Sequence, residues 1–201
     1  MIKNIVFDYG QVLIHFDPAY MARQYVTNEE DARLLEEVAF DRLYWDRLDA
    51  GTITQEEVVE ACRTRLPEHL WETAEQLVWN WIYHIPPMEG MNELVMHLKQ
   101  NYNVKLFLLS NISLHFAAHA HEFPILNEMD RCIFSSVCGM TKPSREIFTY
   151  LCESNHILPE ETIFIDDNAA NVAAANAFGI HAYCFDGDAE KLKKHLEQML
   201  V

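Results

Sequence analysis

Five short apolar runs separated by stretches of helical period constrain the fold of this chain more than any other feature. They are Ile2 to Phe7 (IKNIVF), Val104 to Ser110 (VKLFLLS), Arg131 to Ser136 (RCIFSS), Thr162 to Asp167 (TIFIDD) and Ile180 to Phe185 (IHAYCF). Runs of this length, bounded by turn residues, read as buried strands. Between them, Ile147, Phe148, Leu151 and Cys152 make one helical stripe after Pro143. Val172, Ala175 and Phe178 make a second, ended by Gly179 as a C-terminal cap residue, and Leu192, Leu196 and Met199 line a third. Strands alternating with helices imply an α/β, Rossmann-like three-layer core, with helices on both faces of a parallel sheet.

Residues from about Pro18 to Tyr83 break that rhythm, with helix following helix. Asn28 precedes a run carrying Leu34, Leu35 and Val38; Thr54 and Glu57 form a capping box ahead of Val58, Val59, Cys62 and Leu66; Leu70, Ala74, Leu77, Val78 and Trp81 mark a further helix. Pro86-Pro87 closes the segment. The expected organisation is a core of residues 1–16 and 84–201 carrying a small all-helical cap of residues 17–83.

A chain of 201 residues that is 50% hydrophobic can bury a full-sized core. Its net charge of −16 argues against general nucleic-acid binding, which needs basic surface to neutralise backbone phosphates. No run approaches the ~20 apolar residues that span a bilayer, and MIKNIVFDYG shows no signal-peptide cleavage pattern. Five cysteines (Cys62, Cys132, Cys138, Cys152, Cys184), odd in number and without CxxC spacing, fit free thiols in a reducing cytoplasm.

In a doubly wound sheet, ligands bind outside the carboxyl ends of the strands. Those ends carry Asp8, Ser110-Asn111 and Asp166-Asp167, with Lys142-Pro143 in a loop that opens a helix. The set is chemically coherent. Mg²⁺ takes oxygen ligands, commonly one or two carboxylates plus substrate phosphate. A carboxylate can attack phosphorus, while lysine and metal neutralise the phosphoryl oxygens and Ser110 and nearby amides donate hydrogen bonds. Singly, each residue has an ordinary structural role: Asp167 or Asn168 as a helix cap, Ser110 in a turn, Lys142 in solvent with Pro143 at the first helical position. Jointly they favour a site.

These residues resemble the motifs of the haloacid dehalogenase superfamily, mostly phosphatases, and the resemblance spans nearly the whole chain. IVFDYGQV stands for the first motif, FLLSN for the second, Lys142 in GMTKPSREIF for the third, and FIDDNAAN for the fourth. The resemblance implies Asp8 as nucleophile, Ser110 and Asn111 beside the phosphoryl group, and Lys142 neutralising both. It implies Asp8, the Gly10 carbonyl and Asp166 as Mg²⁺ ligands, with Asp167 and Asn171 behind them. It also implies a helical cap after the first strand and a small phosphorylated metabolite as substrate.

One position departs from the pattern. The family usually carries a second Asp, serving as acid and base, two residues after the nucleophile; here Gly10 stands there. Glucose-1-phosphatase-like sugar phosphatases share a similar D-x-G-x-V start, and Asp49-Ala50-Gly51-Thr52-Ile53-Thr54 resembles their D/E-x-G-x-I-S/T. A phosphatase acting on a sugar phosphate is therefore the expectation. The alternatives are a 2-haloacid dehalogenase, which attacks carbon without a metal, and a phosphate-binding protein that has lost turnover. His15 is a candidate for the missing acid, with a packing role the competing reading. His115 and His119, four apart, lack the third ligand of a zinc site. Trp71, Trp79 and Trp81 read as cap core, Trp45 less clearly so.

Overall fold

A computed structural model describes residues 1–200 and contains one five-stranded sheet. Its strands are β1 (Asn4–Phe7), β2 (Lys105–Ser110), β3 (Arg131–Phe134), β4 (Thr162–Asp166) and β5 (His181–Cys184). All neighbours pair in parallel, in the order β3-β2-β1-β4-β5. The order reverses between β1 and β4, which is where such sheets open a crevice at their carboxyl ends. Each apolar run yields a strand, generally shorter than the run itself. β1 starts at Asn4, β3 stops at Phe134, and Asp167 lies just past β4.

Period-two geometry divides the sheet's side chains between two layers. Ile5, Phe7, Leu106, Leu108, Ile163 and Ile165 join one buried cluster, and Val6, Phe107, Leu109, Ile133 and Phe164 the other.

Five helices follow β1 without an intervening strand: α1 (Pro18–Arg23), α2 (Glu29–Ala39), α3 (Arg42–Asp49), α4 (Gln55–Arg65) and α5 (Trp71–Asn80). Both sides of the capping box are present at the start of α4, between Thr54 and Glu57. Chain enters and leaves this segment through a paired neck. The His15 N–H donates to the Pro86 carbonyl at 2.8 Å, and the Met88 N–H to the Leu13 carbonyl at 2.9 Å. The remaining helices are α6 (Met91–Asn101), α7 (Leu114–His119), α8 (Pro124–Asn127), α9 (Ser135–Cys138), α10 (Arg145–Asn155), α11 (Ala169–Phe178) and α12 (Ala189–Leu200). Buried residues of α6 and α12 share the first cluster with those of the five inserted helices, while α10 and α11 cover the second face. The two helix-covered faces make the three layers. Gly179 ends α11 at φ +108°, a conformation that costs glycine little.

Two of the three core stripes are narrower than their periodicity suggests. On α10 all four members, Ile147, Phe148, Leu151 and Cys152, are buried. On α11 only Ala175 is, and on α12 Leu192 and Leu196 are, whereas Val172, Phe178 and Met199 keep partial exposure. No helix of the described residues is long and apolar enough to cross a membrane.

Candidate active site

β1 is buried throughout and delivers Asp8 at its carboxyl end. The chain then folds into a tight turn in which the Tyr9 carbonyl accepts from the N–H groups of Val12, Leu13 and Ile14. Gln11 occupies the left-handed region at φ 57°. The turn leaves Asp8 and Gly10 lining a cavity of about 460 Å³. The Asp8 Oδ1 accepts from its neighbour's N–H, that of Tyr9, at 2.7 Å.

The central feature is a buried ammonium between two carboxylates. Lys142 Nζ lies 2.7 Å from Asp8 Oδ1 and 2.8 Å from Asp166 Oδ2. Asp166 is fully buried and holds more donors: the Asn168 N–H at 2.8 Å, and the Asn171 amide at 3.0 Å from each oxygen. The lysine is placed through its main chain. Asn111 donates to the Lys142 carbonyl at 2.9 Å and accepts from the Lys142 N–H at 2.8 Å. A two-point amide pair of this kind ties the loop to the end of β2, so Asn111 spends its side chain on holding the lysine.

Burial makes these charges interdependent. Loss of solvation raises the Asp8 carboxyl to about 6, the Lys142 charge opposing and Asp166 adding to the rise. Burial alone would favour neutral Lys142, but the two carboxylates outweigh it and hold the ammonium above the ordinary lysine value. Asp167 is raised as well, by partial burial and then by repulsion from Asp166. One carboxylate oxygen from each of Asp8, Asp166 and Asp167 lies within 4.8 Å of the other two. Three carboxylates and no sulfur or imidazole form a donor set suited to a hard divalent cation.

The opposite wall of the cavity comes from the neck and the inserted helices: Phe16, Arg42, Trp45, Asp46, Asp49 and Trp81. Phe16, Trp45 and Trp81 form one aromatic cluster, with ring centroids 5.5–5.9 Å apart. Arg42 pairs with Asp46 at 2.8 Å, where both are exposed.

Comparison with known proteins is consistent with this arrangement. The family model described as haloacid dehalogenase-like hydrolase matches residues 2–179. The chain belongs to that family. A D-ribitol-5-phosphate phosphatase of Bacteroides thetaiotaomicron is 24% identical over 195 residues, covering 91% of each chain. Among solved structures, a predicted HAD-like family hydrolase of Porphyromonas gingivalis superposes with a TM-score of 0.73 at 25% identity, covering 99% of this chain and 98% of the other. A B. thetaiotaomicron HAD family enzyme, solved with magnesium and inorganic phosphate, has a TM-score of 0.72 at 23% identity, covering 96% and 99%.

As a haloacid dehalogenase-like hydrolase, the chain brings Asp8, Gly10, Ser110, Asn111, Lys142, Asp167 and Asn171 around one cavity, with Asp166 directly behind Lys142. The ordinary alternative for Lys142 does not hold. It is buried, and α10 begins at Arg145, so Pro143 is not its first residue. Asn168, not Asp167, caps α11, accepting from the Ala170 N–H at 2.9 Å. His15 is exposed on the neck and outside the cavity lining. His115 Nε2 meets the Trp79 carbonyl and His119 Nδ1 the His115 carbonyl, each at 2.8 Å, and no third metal-ligating group joins the pair among the described residues. None of the five free cysteines lines the cavity.

Two features of the site and its supports escape the sequence reading. Trp81 is buried, as expected of a cap-core residue, yet also faces the cavity. Ser135, expected inside the third strand, starts the short helix α9. Its hydroxyl accepts from the Ile112 N–H at 2.9 Å and donates to the Asp49 carbonyl. No local pattern marks a serine as a tether between segments 86 residues apart.

Proposed function

We propose that this chain is a Mg²⁺-dependent phosphatase of a small phosphorylated metabolite, with Asp8 as the nucleophile. The observation that carries the reading is the Asp8–Lys142–Asp166 arrangement at the switch point of the sheet. Oδ1 of Asp8 is held by the Tyr9 N–H and Lys142, which leaves Oδ2 as the oxygen that attacks phosphorus. Asp8, the Gly10 carbonyl and Asp166 hold the Mg²⁺, with Asp167 and Asn171 in support; the cation supplies charge neutralisation at the phosphoryl oxygens. Ser110 donates to the phosphoryl group, and Lys142 keeps the nucleophile ionised against its burial. Asn111 serves the phosphate by positioning the lysine loop.

Residues 17–83 act as the cap and close the leaving-group side of the cavity. Aromatic rings beside Arg42, Asp46 and Asp49 suit a substrate with both C–H and hydroxyl surface, as a sugar or alditol phosphate has. The alditol phosphatase among the relatives supports that class.

Phosphate release from a panel of sugar and alditol phosphates, with and without Mg²⁺, tests the proposal. Asp8→Asn should lower turnover by about 10⁴-fold or more while the protein stays folded. Equal activity of the variant and wild type would remove Asp8 as nucleophile. Halide release from a 2-haloacid in chelator would replace the phosphatase reading with dehalogenation.

A further inference from the structure

The cavity contains a nucleophile and its neutralising charge, yet the loop after β1 supplies no acid, because position 10 has no side chain. Steric need does not explain that glycine. A Cβ built there would meet only the Phe16 Cβ, at 3.8 Å, which is ordinary contact. A proton donor is therefore to be sought elsewhere on the cavity wall. Its acidic residues outside the carboxylate cluster are Asp46 and Asp49. Asp46 is exposed and paired with Arg42. Asp49 has no hydrogen-bond or ion-pair partner for its carboxyl among the described residues, although it lines the same cavity as Asp8 and Ser110.

Asp49 is also held in register with the core. Its carbonyl accepts from the Ser135 hydroxyl, which itself accepts from the Ile112 N–H just beyond β2. Two residues on, Gly51 at φ +68° presses against the core backbone so closely that a Cβ would stand 2.6 Å from the Ser136 carbonyl oxygen. A loop that carries a proton donor must hold it in place, and this one meets the core at two points within three residues.

Resting on the phosphatase reading above, we infer that Asp49 is the general acid and base of this site, and that the substrate is the phosphate ester of an unactivated alcohol. In the first step Asp8 Oδ2 bonds to phosphorus, the P–O bond to the alcohol breaks, and the Asp49 proton passes to the departing oxygen. In the second, water bonds to phosphorus, the P–O bond to Asp8 breaks, and Asp49 takes the water's proton and is restored. The groups facing Asp49 suit both roles. Burial lifts its carboxyl, Asp46 adds to the rise, Arg42 opposes it, Asp8 raises it further and Lys142 lowers it, for a value of about 7. Such a group exchanges a proton near neutrality, where acid–base catalysis is most effective.

The experiment compares an alkyl ester, D-ribitol 5-phosphate or glycerol phosphate, with p-nitrophenyl phosphate, whose leaving group needs no proton. With Asp49→Asn, alkyl ester turnover should fall about 100-fold or more. The same variant should still release one nitrophenolate per site in a rapid burst and then turn over slowly, because the base for the second step is gone. Asp49→Glu should restore part of the alkyl activity. The alkaline limb of the wild-type kcat/KM profile, falling through about 7, should disappear in Asp49→Asn. Equal slowing of the first step for both esters, or no slowing at all, would overturn the inference while leaving the phosphatase reading intact. Absence of Mg²⁺-dependent release from every ester by wild-type protein would overturn both.

Discussion

The two walls of the cavity are built on opposite principles. On the core side the buried charges are matched: Lys142 sits between Asp8 and Asp166, and Asn168 and Asn171 take up the remaining capacity of Asp166, leaving only the exposed Asp167 carboxyl without a partner among the described residues. On the cap side aromatic rings alternate with charged groups that are exposed or unmatched, as Arg42, Asp46 and Asp49 are. A buried, matched network is stiff, because moving one member leaves another uncompensated. On the proposed phosphatase reading, the core wall binds the part of a substrate that is always the same, the phosphoryl group. On the same reading, the cap wall meets the alcohol and exchanges its proton.

The sharpest way to break this contrast is to remove the ammonium from the core wall. Lys142→Met leaves two buried carboxylates facing each other and should cost about 3–5 kcal/mol of stability, besides abolishing activity. Asp8, at about 6 with the lysine beside it, moves higher without it. Protonation then relieves the repulsion, so the deficit should be largest near pH 8 and shrink as pH falls towards 5. Denaturant unfolding at the two pH values measures it. A deficit independent of pH would mean that packing, not charge, dominates the lysine's role.

The same contrast explains what can be read in the sequence. Asp8, Lys142 and Asp166 each stand in a short local pattern, an apolar run ending in a polar residue or a loop entering a helix, and the parallel topology carries those ends to one crevice. The central strands β1, β2 and β4 are legible for the same reason, since burial on both faces imposes near-continuous apolar runs, whereas the edge strands β3 and β5 keep partial exposure. Cap residues carry no such mark. Trp81 satisfies a helical stripe whether or not it also faces a cavity, and Trp45 belongs to a helix only eight residues long. Ser135 lies in a run whose strand character gives way one residue earlier, at Phe134. Asp49 stands in a recognisable segment, but only the fold shows that the segment reaches the core.

A smaller effect tests whether the cap wall is truly fastened. Gly51→Ala forces a Cβ against the Ser136 carbonyl from a left-handed backbone, which should cost about 1–3 kcal/mol. If the loop holds Asp49 in place, alkyl ester turnover should also drop about tenfold, while the nitrophenolate burst survives. A loss of stability with unchanged alkyl turnover would show that Asp49 does not depend on this contact.

The smallest structural effect belongs to the glycine of the other wall. Gly10→Ala adds a methyl with only ordinary contact to Phe16, so unfolding free energy should stay within about 0.5 kcal/mol of wild type. The backbone carbonyl proposed for the metal is retained, which makes kinetics the informative measurement. A rise in KM with kcat preserved would place the alcohol over Gly10, in space that an acid side chain would otherwise fill. A fall in kcat alone would place the reacting phosphoryl group there instead. Either result locates the substrate relative to the two walls, and so tells which of them position 10, though it lies on the core loop, in effect serves.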